Sequence, residues 1–349
     1  MLRIGVVGYG TGGRHFHAPF IQAAKGCTLA GVVARADKTI AAVKVDYPGL
    51  PVFASLDAMI ASGAVDAVTI TTPPETRRDL VLQAIAAGLH VVADKPFAPD
   101  AQGARDLDQA AKAKGVTLGV YQNRRWDSDL QTLKKVIDAG RLGQVWRIHS
   151  RMDFDDPATL EAGPTGGLLR DLGSHLVDQM LYLLGPVTSV MAHLDYVQLA
   201  KGATDAAFHV SMTHASGQHS HVSASKLNHF AQRELRAYGA AGAYVSHSTD
   251  VQTQAIFAGK RPVQDLAAWG YEPQTHWGTL YTKGGATRIP SEPGRYHAYY
   301  EAFACAVLTN GPVPVTAAEG IRTLAVLDAA RLSAEQGCSV AVQQEDTNG

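Results

Sequence analysis

The sequence predicts an N-terminal α/β domain with a doubly wound parallel sheet, followed by an α+β domain built on an open, mainly antiparallel sheet. Three observations carry this expectation. The first third alternates short apolar runs with segments of helical period, and a glycine-rich turn follows the first run at once. From about Tyr121 the runs succeed one another with period-two alternation and no long helices between them. At 349 residues the chain is long for one core, and the change of pattern divides it into 1–121 and 122–349.

Leu2-Arg3-Ile4-Gly5-Val6-Val7 is an apolar run of the kind that makes a buried parallel strand. It feeds into Gly8-Tyr9-Gly10-Thr11-Gly12-Gly13, which matches Gly-x-Gly-x-x-Gly through Gly8, Gly10 and Gly13. Such glycines permit a tight turn and let backbone approach a pyrophosphate, whose charge is met by N–H groups at a helix start. With 34 glycines in the chain the pattern alone is weak. Its place after a strand and before a helix, with a second strand over 28–34, makes it a dinucleotide-binding turn of the Rossmann type. Tyr9, Thr11 and Gly12 join the three glycines as cofactor contacts. Pro19 is unsuited to a helix interior, so the first helix is expected to start with a distorted turn around His15 to Ala18 and become regular near Pro19.

The end of the second strand, Ala34-Arg35-Ala36-Asp37, bears on which dinucleotide binds. Enzymes that use NAD place an acidic residue there, roughly twenty residues past the glycines, on the ribose 2′-hydroxyl. Arg35 instead suits a 2′-phosphate and favours NADP(H). The alternative is a surface Arg35 with Asp37 on the ribose of NAD.

The alternation continues with a strand over 65–70 and the loop Thr71-Thr72-Pro73-Pro74, at the strand's carboxyl edge where cofactors lie in such sheets. A helix follows from Glu75 to Gly88, then a strand over 90–93 ending in Asp94-Lys95-Pro96, a helix from Ala101 to Lys114 and a strand over 116–120. Lys95 thus stands on the same edge as the glycine turn. An ammonium there can polarise a substrate oxygen and assist proton transfer during hydride exchange; an ordinary solvated lysine is the alternative.

In the second part, a helix from Asp127 to Ala139 carries Leu130, Leu133, Val136 and Ile137 on one stripe and closes at Gly140. In the stretch from Gly166 to Gln179, Asp171 and His175 are four residues apart, and on a helix they project together. A carboxylate beside an imidazole fixes its tautomer and raises its basicity, as general acid/base chemistry needs. The bland alternative is a solvated helix face, but Leu168, Leu169, Leu172, Leu176, Met180, Leu181 and Leu184 mark a buried helix, where a charge is costly. Strands are expected over 145–152, 187–197, 206–214, 219–227 and 233–238, and helices over 296–308 and 317–335, with fraying from Gln343 to Gly349.

With Lys95, Asp171 and His175 in place, the chain resembles the Gfo/Idh/MocA oxidoreductases, named for glucose–fructose oxidoreductase, inositol dehydrogenase and a rhizopine-catabolism protein. The resemblance runs from the glycine turn through Thr71-Thr72-Pro73 and Asp94-Lys95-Pro96 to Gly166 through Gly185. The family usually has Glu-Lys-Pro, so Asp94 is a mild departure. Gly8-Tyr9-Gly10, His17-Ala18-Pro19, the run from Tyr121 to Asp127 and Asp171-Leu172-Gly173-Ser174-His175 look like the NADP-dependent scyllo-inositol dehydrogenase group. The resemblance implies Lys95, Asp171 and His175 as the catalytic set, and Thr71, Thr72, Pro73 and Asp94 beside the cofactor. It also implies Arg124 and a residue near Asp153 toward the substrate, although Arg124 could instead pair with Asp127 or Asp129. A partner subunit would cover the open sheet face, giving a homodimer or homotetramer.

The implied activity is reversible oxidation of a secondary alcohol on a polyol, inositol or sugar with NADP, NAD being the alternative cofactor. Two rivals stay open: reduction of an imine, dihydrodiol or keto sugar, and a non-catalytic dinucleotide sensor, whose mark would be loss of the lysine or histidine. Specificity lies in loops, notably 154–166 and 251–275; Trp269, Tyr271 and Trp277 in the latter are a sugar-stacking surface or core and interface residues. Net charge is −1 with Lys and Arg scattered, which leaves no footprint for nucleic acid or an anionic membrane. Cys27, Cys305 and Cys338 form no Cys-x-x-Cys pair and read as reduced thiols. No apolar run reaches membrane-spanning length and the first strand leaves no room for a signal peptide, so a cytoplasmic protein is expected. His209, His214, His219, His221 and His229 lack carboxylate or Cys companions at ligand spacing; no metal is expected. His15 and His17 are expected to line the cofactor pocket or cap a helix.

Overall fold

The apolar runs of the first third become strands that are covered on both faces, as parallel sheets require. These are β1 (Leu2–Val7), β2 (Cys27–Val33), β3 (Val52–Phe53), β4 (Ala67–Ile70), β5 (His90–Asp94) and β6 (Leu118–Tyr121). In the computed structural model, which describes residues 1–163, 166–247 and 250–343, they pair in parallel in the order β3-β2-β1-β4-β5-β6. The fraying expected of 343–349 falls outside the described residues except for Gln343. Ile4, Val6, Ala67, Val68, Ile70, Val91, Val92 and Ala93 have no exposed surface. The order reverses between β1 and β4, and the loops leaving their carboxyl ends frame the crevice that such sheets use for ligands.

The first helix starts irregularly for the reason its proline gives. Gly12–His17 is a π-helical turn, and a regular helix follows over Ala18–Ala23 with Pro19 in its first turn, where no intrahelical N–H is needed. The compact unit around this sheet comprises Met1–Asn123 together with Gln252–Trp269 and Arg295–Gly320. Two later segments therefore return to the first core. The helix Tyr296–Thr309 buries Tyr296, Tyr299, Tyr300 and Phe303. It lies so close to β6 that a Cβ on Gly119 would meet Tyr299 Oη at 2.8 Å and a Phe303 ring carbon at 3.1 Å. Val120 N donates to Val315 O at 3.1 Å, and Gly119 bridges Thr316, so the chain after this helix caps the open edge of β6. Trp269 belongs to this core: it is 7% exposed, packs edge-on against Phe20, and its indole N–H donates to Gln252 Oε1.

The second unit comprises Arg124–Val251, Gly270–Gly294 and Ile321–Gly349. Its sheet contains β7 (Val145–Asp155), β8 (Val187–Leu199), β9 (Gly202–His214), β10 (His219–Ser225), β11 (Leu227–Gly239), β12 (Gly242–Ser246), β13 (Thr279–Thr282), β14 (Gly285–Arg288) and β15 (Val340–Ala341). The order is β14-β13-β12-β11-β7-β10-β9-β8-β15. Every pairing is antiparallel except β7 with β10, which is parallel. Alternation sends Ile148, Met152, Val190, Val210, Val222 and Leu235 inward. Arg147, His149, His193, His209, His219 and His221 lie on the other face, half-buried or exposed. The run expected over 219–227 is two strands: β10 stops at Ser225, and Lys226 turns the chain into β11. Among the described residues no helix is long and apolar enough to cross a membrane.

Candidate functional site

In the first unit the glycine turn is shaped by close approach. Gly8 has φ +100°, which disfavours any side chain. A Cβ on Gly13 would lie 2.1 Å from Gly8 O, and one on Gly12 would lie 2.3 Å from Thr71 Oγ1. Gly10 differs: its Cβ position meets nothing within 4 Å. The space a side chain would fill is therefore open above backbone, the cradle a pyrophosphate requires. Tyr9 and Arg14 both donate to Asp46, at 2.9 Å from Tyr9 Oη and 2.6 Å from Arg14 Nε, anchoring the turn to the helix Asp37–Asp46. Burial would raise the Asp46 carboxyl, but those two hydrogen bonds hold it below its ordinary value. Thr11 is exposed at the mouth of the turn. Arg35, just past β2, is exposed and its guanidinium has no hydrogen bond or ion pair among the described residues; the neighbouring Lys38 is likewise exposed and uncommitted. These residues fit a dinucleotide, and Arg35 and Lys38 stand uncommitted, among the described residues, just past the end of β2.

The loops after β4 and β5 are tied to one another and to the glycine turn. Thr71 N donates to Val7 O, and Thr71 Oγ1 donates to Asp94 Oδ2 at 2.8 Å. Thr72 Oγ1 is buried with no hydrogen-bond partner among the described residues, and Pro73 is exposed. Arg77, 5% exposed, spans both loops: it donates to Thr72 O at 2.7 Å, Asp94 O at 2.9 Å and Pro96 O at 2.5 Å. Beneath them His17, with no exposed surface, places Nδ1 2.5 Å from Tyr300 Oη and Nε2 3.2 Å from Asp94 Oδ2. Burial alone would raise the Asp94 carboxyl, but His17 above all, then Arg77 and Lys95, hold it well below the usual carboxylate range. Lys95 donates its backbone N–H to Asp94 Oδ1 at 2.8 Å and is half-buried. Asp94 is thus a hub whose carboxylate fixes the backbone from which the Lys95 side chain projects.

In the second unit Asp171 lies on a π-helical turn, Leu169–Gly173, and His175 on the helix Ser174–Leu184 that continues it. The turn opens at Gly167, whose φ is +96° and whose Cβ position is 2.0 Å from Asp205 Oδ1. Asp205 Oδ2 accepts from Leu169 N at 2.6 Å, and Arg331 pairs with Oδ1 at 3.4 Å. His175 is 6% exposed, whereas the Asp171 side chain is 47% exposed and pairs with Lys226 Nζ at 3.2 Å. One helical turn deeper, Asp178 forms a buried fork with Arg125, at 2.8 and 2.7 Å.

The remaining expected residues are held in ion pairs. Arg124 NH1 lies between Asp127 Oδ2 at 3.2 Å and Asp250 Oδ2 at 3.1 Å, while Asp129 pairs with Arg233. Burial pushes the Asp127 and Asp129 carboxyls up; it would also lower Arg233, but the carboxylates of Asp129, Asp127 and Asp250 more than offset that. Asp153 is 3% exposed and pairs with Arg151. His214, one of the clustered histidines, is satisfied in the core by Gly185 O and Ser220 Oγ. Among the described residues no three His, Cys, Asp or Glu side chains gather as a metal would need. Arg77, Tyr300, Asp205 and Lys226 carry no signal in spacing, because each acts across a long sequence separation or on backbone carbonyls. His17 does carry a signal, its place in His-Ala-Pro, but its bonds to Tyr300 and Asp94 are legible only in the fold.

A parallel sheet with an open glycine cradle at its switch point is the class of fold that binds a dinucleotide. Residues 2–122 match the family model described as "Oxidoreductase family, NAD-binding Rossmann fold", and residues 130–245 match the GFO/IDH/MocA C-terminal domain. The chain belongs to the Gfo/Idh/MocA oxidoreductase family, and it is a dehydrogenase or reductase. It is 33% identical to the uncharacterized oxidoreductase YdgJ of Escherichia coli (strain K12), covering 94% of each chain. It is 31% identical to the scyllo-inositol 2-dehydrogenase (NADP(+)) IolW of Bacillus subtilis (strain 168), covering 96% of this chain and 94% of that one. An oxidoreductase structure from Bacillus cereus superposes with a TM-score of 0.88 at 24% identity, over 99% of each chain, a likeness of fold.

Proposed function

We propose that this enzyme oxidises, reversibly, a secondary alcohol of a polyol, inositol or sugar with NADP. The observation that carries the reading is the place of Lys95. The Cβ position of Gly12 is 3.2 Å from Asp94 Oδ2, so the residue next to Lys95 touches the dinucleotide turn itself. An ammonium carried from that backbone is suited to meet the charge that develops on the oxygen of an alcohol losing hydride. When bound, the nicotinamide takes or gives the hydride. The chain's own residues handle the rest. Lys95 stabilises the developing alkoxide, His175 accepts the proton, and Asp171, four residues before it, orients the imidazole. Arg124 and Asp153, each held in ion pairs, shape the surroundings.

Arg35 and Lys38, both uncommitted, support NADP over NAD. The relative named as an NADP-linked scyllo-inositol 2-dehydrogenase supports both the cofactor and the substrate class. A homodimer or homotetramer through the second unit's sheet is part of the same reading, supported by exposed Trp146 and Tyr281 on its strands, and light scattering in solution tests it. The main experiment is a panel of polyols and sugars, beginning with scyllo-inositol, with NADP and NAD, followed by absorbance of the reduced nicotinamide. Turnover with NADP at a kcat/KM at least about tenfold above NAD is expected. A preference for NAD overturns the role of Arg35, and silence across the panel overturns the substrate class.

A further inference from the structure

Lys226 is a buried lysine at the junction of β10 and β11. Its side chain is 9% exposed, less than the 47% of the Asp171 carboxylate it pairs with at 3.2 Å, so the cation lies deeper than the anion. An ammonium buried this far is costly unless a charge compensates it. Among the described residues the other contact of Nζ is Thr159 O at 3.5 Å, the outer limit of a hydrogen bond. Asp171 therefore supplies the compensation. The backbone of Lys226 is pinned on both sides: its N–H donates to Ala206 O at 3.1 Å, and its carbonyl accepts from Asp156 N at 3.2 Å. One residue thus ties β9, the 156–160 loop and the Asp171 carboxylate together.

We propose that Lys226 is a positioning residue that fixes Asp171 in its ionised form and sets how strongly Asp171 raises the basicity of His175. This rests on the reading of Asp171 and His175 as the proton-handling pair. A carboxylate alone holds a neighbouring imidazole protonated to higher pH; a cation on the carboxylate's other side cancels part of that field. The imidazole then gives up its proton nearer neutrality, where a base for alcohol oxidation is most effective. Charges on elements packed around the turn include Asp205 of β9 with Arg331, Asp178 with Arg125, Asp153 of β7 with Arg151, Arg170 on the turn, Asp328 on the helix Ala317–Gln336, and Asp156 and Glu161 on the loop bonded to Lys226 and Gly167. The Asp205, Asp178 and Asp153 pairs are internally neutralised, whereas the Lys226 partner is Asp171 itself.

The test is a histidine titration of the full-length protein, labelled with 13C at Cε1 and followed by NMR without substrate. The signal missing from His175→Asn belongs to His175. In Lys226→Met its midpoint is expected to rise by about one pH unit, and in Lys226→Arg to stay near the wild-type value. Should Lys226→Met not fold, Lys226→Gln, checked by circular dichroism, takes its place. An unmoved midpoint in the neutral variant, or a His175 that titrates in neither form, overturns the proposal. A purely structural lysine would lower stability without moving the midpoint. Because no substrate is used, silence across the polyol panel would sink the proposed reaction without touching this result, and an unmoved midpoint in an active enzyme would do the reverse.

Discussion

Replacing Arg77 by Met tests whether the loops after β4 and β5 are held by one buried guanidinium. Arg77 gives three hydrogen bonds of 2.5 to 2.9 Å to the carbonyls of Pro96, Thr72 and Asp94. Bonds from a charged donor contribute about 1.5–3 kcal/mol each. Their sum is offset by the cost of burying the cation, the same burial that lowers the Arg77 pKa. Met removes that cost but leaves three carbonyls without their donor, and water reaches some of them. The expected net loss is about 3 kcal/mol, a large fraction of the roughly 5–15 kcal/mol that holds a domain folded. Lys at this position keeps the charge but not the fork and should recover about half of the loss. Because the same loops carry Thr72 and Lys95, cofactor affinity should fall by about tenfold, or ~1.4 kcal/mol. Urea unfolding followed by circular dichroism and NADPH titration by fluorescence measure the two effects. A destabilisation under ~1 kcal/mol with unchanged NADPH affinity would refute the argument, since the carbonyls would then be satisfied without Arg77.

Other consequences are as direct. In Gly13→Ala the new Cβ would press on Gly8 O from 2.1 Å, so NADPH binding should be lost together with about 1–3 kcal/mol of stability; normal titration by NADPH would show that the turn yields. Lys95→Met and His175→Ala should each lower kcat by roughly a hundredfold or more while NADPH binds as before, and near-normal turnover in both would remove these residues from the chemistry. The Asp94 carboxyl is depressed in the fold, so it adds stability above its unfolded pKa of about 3.9 and loses it as pH falls through the lower folded value. Wild type and Asp94→Asn should therefore differ in melting temperature at neutral pH and converge in acid below about pH 4; a constant gap across that range would contradict the assignment.

How much of this was legible in the sequence depends on the range over which each residue acts. The glycine turn, the parallel strands and the irregular first helix were legible because their cause is local: backbone room at Gly8 and Gly13, apolar runs covered on both faces, and a proline without an N–H. Asp171 and His175 read as a pair because four residues make one α-helical turn; that the turn carrying Asp171 is π-helical, Leu169–Gly173, is not legible from period. The short strands β12, β13 and β14 were not, and β14 is exposed along its whole length, so no alternation marks it. Nor could period or propensity tell that 252–269 and 295–320 return to the first core. Tyr296, Tyr299, Tyr300 and Phe303 announce a helix with an apolar side, but not which sheet it covers.

The residues that organise the site's charges share a different trait. His17, Arg77, Asp205 and Lys226 are each less than a tenth exposed, and their partners lie anywhere from 5 to 283 positions away. No spacing rule can find their partners. The cost of burying a charge can, because a polar group inside an apolar run is retained only where a partner meets it. Lys226 is the clearest case: alternation from His219 through Leu227 predicts one strand and gives no sign of where the lysine within it points. In the fold it is the residue just past the end of β10, and its side chain turns inward to Asp171. A charge that interrupts an expected strand is therefore evidence of a distant counter-charge, and in this chain that counter-charge belongs to the proposed proton-handling pair.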